Sequence, residues 1–89
     1  MHKSARTDAE IAAEFGVRVR ELRHERGLSQ ERLAHEADLH WSFVSQVERG
    51  KFGNRLPNLL RLAAALGVDP GALVSGIEPP DRRGHGRNL

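Results

Sequence analysis

Apolar side chains recur along this chain with the period of a helix and nowhere with the alternation of a strand. Ala12, Phe15, Val19 and Leu22 are spaced three and four residues apart, which puts them on one helical face. Thr7 or Asp8 is placed to cap that helix, Glu10 and Glu14 lie toward its positive end, and Gly27 supplies the stop. Ser29 opens a second helix as its N-cap; Leu33, Ala34 and Ala37 form the apolar face, and the pattern ends near Ala37. After the break at Asp38, Leu39 and His40, residues 41–49 resume the helical pattern on Val44 and Val47, and Gly50 ends it. A polar loop over residues 51–55 leads to a helix over 56–66, with Leu59, Leu62, Ala63 and Leu66 inward. Pro57 falls in its first turn, where a missing N–H costs nothing, and Gly67 closes it. Asp69 followed by Pro70 starts a short last helix through about Ser75. The expected fold is all-α, a compact bundle of about five helices.

Composition narrows the class of protein. The 89 residues suit one domain with one modest core, not a deep cleft between layers. We assign residues 1–8 to a flexible leader, 9–77 to the folded domain and 78–89 to a disordered basic tail. Apolar residues make up 38% and charged residues 29%, ordinary globular values. The absence of cysteine excludes disulfides, zinc ribbons and thiol nucleophiles. No apolar run approaches the roughly 18 residues of a membrane span, and the N-terminus lacks a signal-peptide core. A soluble protein of the cytoplasm, without membrane association, is the expectation.

Net charge is only +2, from 14 basic and 12 acidic residues, and 12 of the bases are arginine. A GC-rich genome accounts for the arginine total, so function is sought in where particular arginines fall. Residues 49–55 hold three bases and no acid, and residues 82–87 hold three more.

Two short helices joined by a three- or four-residue turn make a helix-turn-helix, and residues 30–49 carry that pattern. Leu33, Ala37, Leu39, Val44 and Val47 take the internal positions, and the small Ala34 lets the helices approach. Asp38 sits where the chain enters the left-handed region, which aspartate tolerates at modest strain. At about 100° per residue, turning Val44 and Val47 inward leaves Ser42, Ser45, Gln46 and Arg49 on the opposite face. That face is small, polar and free of acid. Glutamine can hold adenine through two hydrogen bonds, arginine can hold guanine, and serine reaches either. Trp41 either joins this base-reading set, against a thymine methyl, or packs sideways on the first helix. Phe43 is expected at the surface, against the sugar-phosphate backbone.

Four stretches together carry a family resemblance: residues 27–30 (GLSQ), Leu33-Ala34, residues 44–51 (VSQVERGK) and residues 59–68 (LLRLAAALGV). With their spacing, over residues 15–73, the chain resembles the lambda-repressor/Cro-type (XRE) helix-turn-helix family. The resemblance implies a lambda-repressor-like fold and sequence-specific binding of double-stranded DNA by a transcriptional regulator. The first helix of the motif would brace on the backbone, and the second would enter the major groove. His40 stands where the family has Ser or Thr, and Asn54-Arg55 where it has Pro-Ser. Gln30, beside the free N–H groups that follow the Ser29 cap, is suited to a phosphate, and the family uses this position so. Lys51, Asn54 and Arg55 would supply the matching phosphate contacts beyond the reading helix.

Glu48 turns toward the core side of its helix, and Arg23 lies on the Phe15/Val19/Leu22 face. Two inward charges of opposite sign are expected to pair, because either alone would cost about 3–5 kcal/mol; the resemblance implies the same pair. Leu73, Val74 and Ile77 are an apolar group that either forms a homodimer surface or lids the core. Modules of this kind usually bind palindromic operators as dimers, with half-sites about 34 Å apart. The basic tail is either a nonspecific DNA arm or idle.

Other chemistries fail on spacing. His35 and His40 are five residues apart, so they miss a common helical face and a metal is not expected. Gly50-Lys51 lacks the glycine a phosphate loop needs five residues earlier, and no nucleophile elbow is present. An enzyme and a cofactor are therefore not expected. Two alternatives to a plain regulator stay open: an antitoxin whose DNA-binding fold also masks a partner protein, and a protein-interaction module that has lost DNA.

Overall fold

The structure, a computed structural model, describes residues 6–51 and 55–80. Five helices follow in order: α1 (Asp8–Glu25), α2 (Gln30–Ala37), α3 (Trp41–Glu48), α4 (Leu56–Leu66) and α5 (Pro70–Val74). No strand occurs among the described residues. The helix starts are chemical. Thr7 accepts from the Glu10 N–H while the Glu10 carboxylate accepts from the Thr7 N–H, a complete capping box. Asp8 is therefore helical, so α1 begins one residue before residue 9, the expected start of the folded domain. Ser29 caps α2 by accepting from the Arg32 N–H, and Asp69 caps α5 by accepting from the Gly71 N–H. His40 stands at the N-cap of α3 and makes no such bond. Residues 78–80 follow α5 without regular structure; the rest of the predicted tail lies outside the described residues.

The ends are equally legible. Past α3, the Gly50 and Lys51 N–H groups turn back to the Val47 and Gln46 carbonyls, which helps satisfy the acceptors at the helix end. Gly50 adopts φ 71° to do so. α2 closes the same way on Asp38, at φ 59° and ψ 45°, the left-handed position expected of it.

α3 packs on α1 and α2, α4 packs on α2 and α5, and α5 returns to α1. Phe15, Val19, Leu33, Val44, Val47, Leu62, Leu66 and Leu73 make the centre of the core, and each fully buried aliphatic side chain contributes about 1.5–3 kcal/mol. The three residues expected either to form a dimer surface or to lid the core differ in burial. Leu73 is fully buried and Ile77 packs against the core, so both serve as the lid; Val74 alone stays largely exposed. The sequence conceals a further link there: Arg18 of α1 donates to the Ala72 and Ser75 carbonyls at 2.6 and 2.8 Å. Those bonds tie the end of α5 to α1, and Leu73 is buried in the shared apolar core.

α1 and α3 meet more closely than ordinary side chains permit. A Cβ on Gly16 would collide with the Val47 carbonyl oxygen and lie 2.9 Å from that of Glu48. A Cβ on Gly50 would lie 2.7 Å from the Ala13 Cα. The C-terminal end of α3 thus rests directly on the backbone of α1, which sets how far the other face of α3 stands out.

Candidate nucleic-acid interface

Helix α3 is amphipathic because Val44, Val47 and Glu48 are buried while the remaining face meets solvent. Trp41, Ser42 and Arg49 are exposed and Ser45 and Gln46 are half-buried. Trp41 is 54% exposed and is not a member of the buried core. Arg49 is the C-cap of α3 rather than its last helical residue. The residues of this outward edge carry hydroxyl, carboxamide, guanidinium and indole groups, and none is acidic.

Phe43 departs from expectation. It is half-buried and packs against the core, so the ring is chiefly a packing element and not a free surface aromatic. It lines a shallow depression with Asp38, Leu39, His40 and Asn58, where the first turn of α4 passes the start of α3. Period alone puts Phe43 at the margin of the apolar face, and in the folded chain it packs against the core.

Lys51 and Arg55 are both exposed at the two ends of the loop that follows α3. Asn54 lies outside the described residues. Gln30 is half-buried at the first position of α2, and its Nε2 donates to Glu48 Oε1 at 3.0 Å. It therefore has a protein partner that the sequence reading did not assign to it.

Beneath this edge Arg23 and Glu48 form a two-pronged ion pair. Arg23 Nε donates to Glu48 Oε2 at 2.6 Å and Nη2 donates to Oε1 at 2.9 Å, while Nη1 donates to the Leu28 carbonyl at 2.9 Å. Both residues are buried. Burial pushes the Glu48 carboxyl up, but the bonds from Arg23 and Gln30 and the nearby arginine charge outweigh it, holding the group below the ordinary carboxylate range. The hydrogen bond to Glu48 likewise holds the Arg23 guanidinium above its ordinary value. Because Arg23 belongs to α1, Leu28 to the loop, Gln30 to α2 and Glu48 to α3, one carboxylate locks the helix-turn-helix onto α1.

Three contributors carry little or no local signal in the sequence. Gly16 could have been flagged as a glycine inside a helical run, which often marks close backbone approach. Arg18 sits 54 residues before its carbonyl partner Ala72, and no local pattern signals such a contact. Arg20, exposed on α1, adds its charge to the field at Glu48; its only sequence cue is its place one turn before Arg23.

A family model described as a helix-turn-helix domain matches residues 14–75. Control protein C.BamHI of Bacillus amyloliquefaciens is 43% identical over 61 residues, covering 67% of this chain and 75% of that protein. Control protein C.MunI of a Mycoplasma species is 39% identical over 70 residues, covering 78% of this chain and 95% of that protein. The crystal structure of the restriction-modification controller protein C.AhdI from Aeromonas hydrophila matches with a TM-score of 0.69 and 48% sequence identity, covering 70% of this chain and 94% of that one.

Proposed function

The chain belongs to the helix-turn-helix domain family, and on that premise we propose that it is a transcriptional regulator that binds double-stranded DNA in a sequence-specific manner. The observation that carries this reading is the outward edge of α3. Its polar groups are presented to solvent, free of acidic residues, on a helix seated firmly on α1 and α2. A helix of this length fits the major groove, where Gln46, Arg49, Ser42 and Ser45 meet donor and acceptor patterns that differ between base pairs. Trp41, at the leading end, offers an apolar surface to a thymine methyl.

Affinity and register come from the flanks. Gln30 and the α2 amides on one side, and Lys51, Asn54 and Arg55 on the other, supply contacts to phosphates, which carry no sequence information. The protein acts by binding, not catalysis, in the cytoplasm, and takes a palindromic operator as a homodimer. Val74, the exposed member of the α5 group, belongs to the dimer surface. The controller proteins it is similar to support a regulator of that kind.

Selection of bound duplexes from a random pool tests the proposal. The expected result is enrichment of a motif with two inverted half-sites about 10 base pairs apart, with binding that weakens steeply as salt rises. Recovery of an unenriched pool, or binding indifferent to salt, would remove it.

A further inference from the structure

Gln30 occupies the first position of α2, yet one of its amide protons is already engaged by Glu48. A carboxylate only accepts hydrogen bonds, so the nitrogen end of the Gln30 carboxamide, not the carbonyl end, must face it. The acceptor is itself immobile. Arg23 bonds both of its oxygens, and the residue is 8% exposed. Gln30 is left with a second proton on the same nitrogen, next to the first turn of α2. In that turn Ser29 has already taken the Arg32 N–H at 3.0 Å.

Building on the DNA-binding reading above, we propose that Glu48 is a positioning residue for the DNA backbone. By accepting one Nε2–H of Gln30, it fixes the rotamer and polarity of that carboxamide and leaves the second N–H for a phosphodiester oxygen. An untethered glutamine at a helix start samples several rotamers and can turn its carbonyl oxygen, an acceptor, toward a phosphate that also only accepts. Tethered, it presents a donor before DNA arrives, so the ordering cost is met in the free protein. The carboxylate also polarises the amide nitrogen and strengthens the remaining donor. Glu48 sits in the helix that reads bases, but its influence falls on a phosphate contact and is independent of sequence.

A double-mutant cycle on the full chain tests this, with dissociation constants measured by fluorescence anisotropy on a selected operator and a scrambled duplex. Gln30→Met removes the amide and keeps the stem. Glu48→Gln offers one oxygen, which Arg23 retains, and turns an NH2 group toward Gln30. Each single variant is expected to weaken both duplexes by about three- to tenfold, leaving the ratio between them unchanged. The double variant is expected to be no weaker than the weaker-binding single one. Losses that multiply, or a folded Glu48→Gln protein that binds like wild type, overturn the inference while leaving the DNA-binding reading intact. Wild-type protein that binds no duplex overturns both.

If circular dichroism shows Glu48→Gln unfolded, the side-chain amide resonances of Gln30 in the wild-type protein decide the matter. One Hε2 is expected to exchange slowly and stay in place when duplex is added, while its geminal partner shifts. Movement of both, or of neither, overturns the inference.

Discussion

Replacing Gly16 by alanine sets two physical effects of opposite sign against each other. Residue 16 lies in the interior of the 18-residue α1, where alanine is favoured over glycine by about 1 kcal/mol through backbone entropy alone. On propensity, the variant would be more stable. The tertiary contact opposes this. The three atoms nearest a Cβ there are the Val47 carbonyl oxygen and the Glu48 carbonyl oxygen and carbon, all main-chain and none farther than 3.0 Å. Main-chain atoms inside a helix cannot rotate away, so α3 itself must move off α1. Overpacking of this kind costs typically 1–3 kcal/mol, and a rigid neighbour places Gly16→Ala at about the upper end. Net destabilisation is expected to be about 2 kcal/mol, which for a domain of this size lowers Tm by about 8–16 °C. Thermal unfolding followed by circular dichroism measures it directly. A variant with unchanged or raised Tm would refute the claim that α3 rests on the α1 backbone.

Three other outcomes follow from the same geometry. Glu48→Ala leaves the Arg23 guanidinium buried without its partner and is expected to cost about 3–5 kcal/mol in urea unfolding; the ratio of operator to scrambled-duplex affinity stays the same. Because the folded Glu48 carboxyl lies below its unfolded value of about 4.3, its stabilisation is complete above that pH and is lost as pH falls through the lowered folded value. Tm is expected to hold from neutral pH to about pH 5 and then decline, with a shallower decline in Glu48→Gln; equal slopes would discount the pair as the cause. Gln46→Ala is expected to relax preference at one base position by about 1–3 kcal/mol, whereas Arg55→Ala weakens all duplexes alike and reduces the salt slope by about one. Identical behaviour of the two variants, measured by competition and salt titration, would collapse the division between reading and anchoring.

Much of the site is written in short stretches of sequence. The Ser29 cap, the left-handed Asp38 and the outward Ser42–Arg49 edge depend on residues within a turn or two of one another, and local chemistry settles such things. The placement of Arg23 and Glu48 on inward faces was also visible, since helical period assigns a direction to each side chain. Period assigns direction but not depth. Phe43 and Trp41 both flank the same apolar stripe, and only the packed core separates a half-buried ring from an exposed one. Leu73 and Val74 are neighbours in the chain, and the packing of α5 against α1 and α4 decides which faces the core.

What the amino-acid order determined by itself was therefore the set of helices, their ends and the direction in which each face points, because these arise from hydrogen bonds and periodicity inside short segments. What only the assembled molecule decided was which residues touch across helices: Gly16 on the α3 carbonyls, Gln30 on Glu48, Arg18 on the Ala72 carbonyl. Those contacts depend on crossing distances between helices far apart in the chain, and such distances are set by how all the side chains pack together at once.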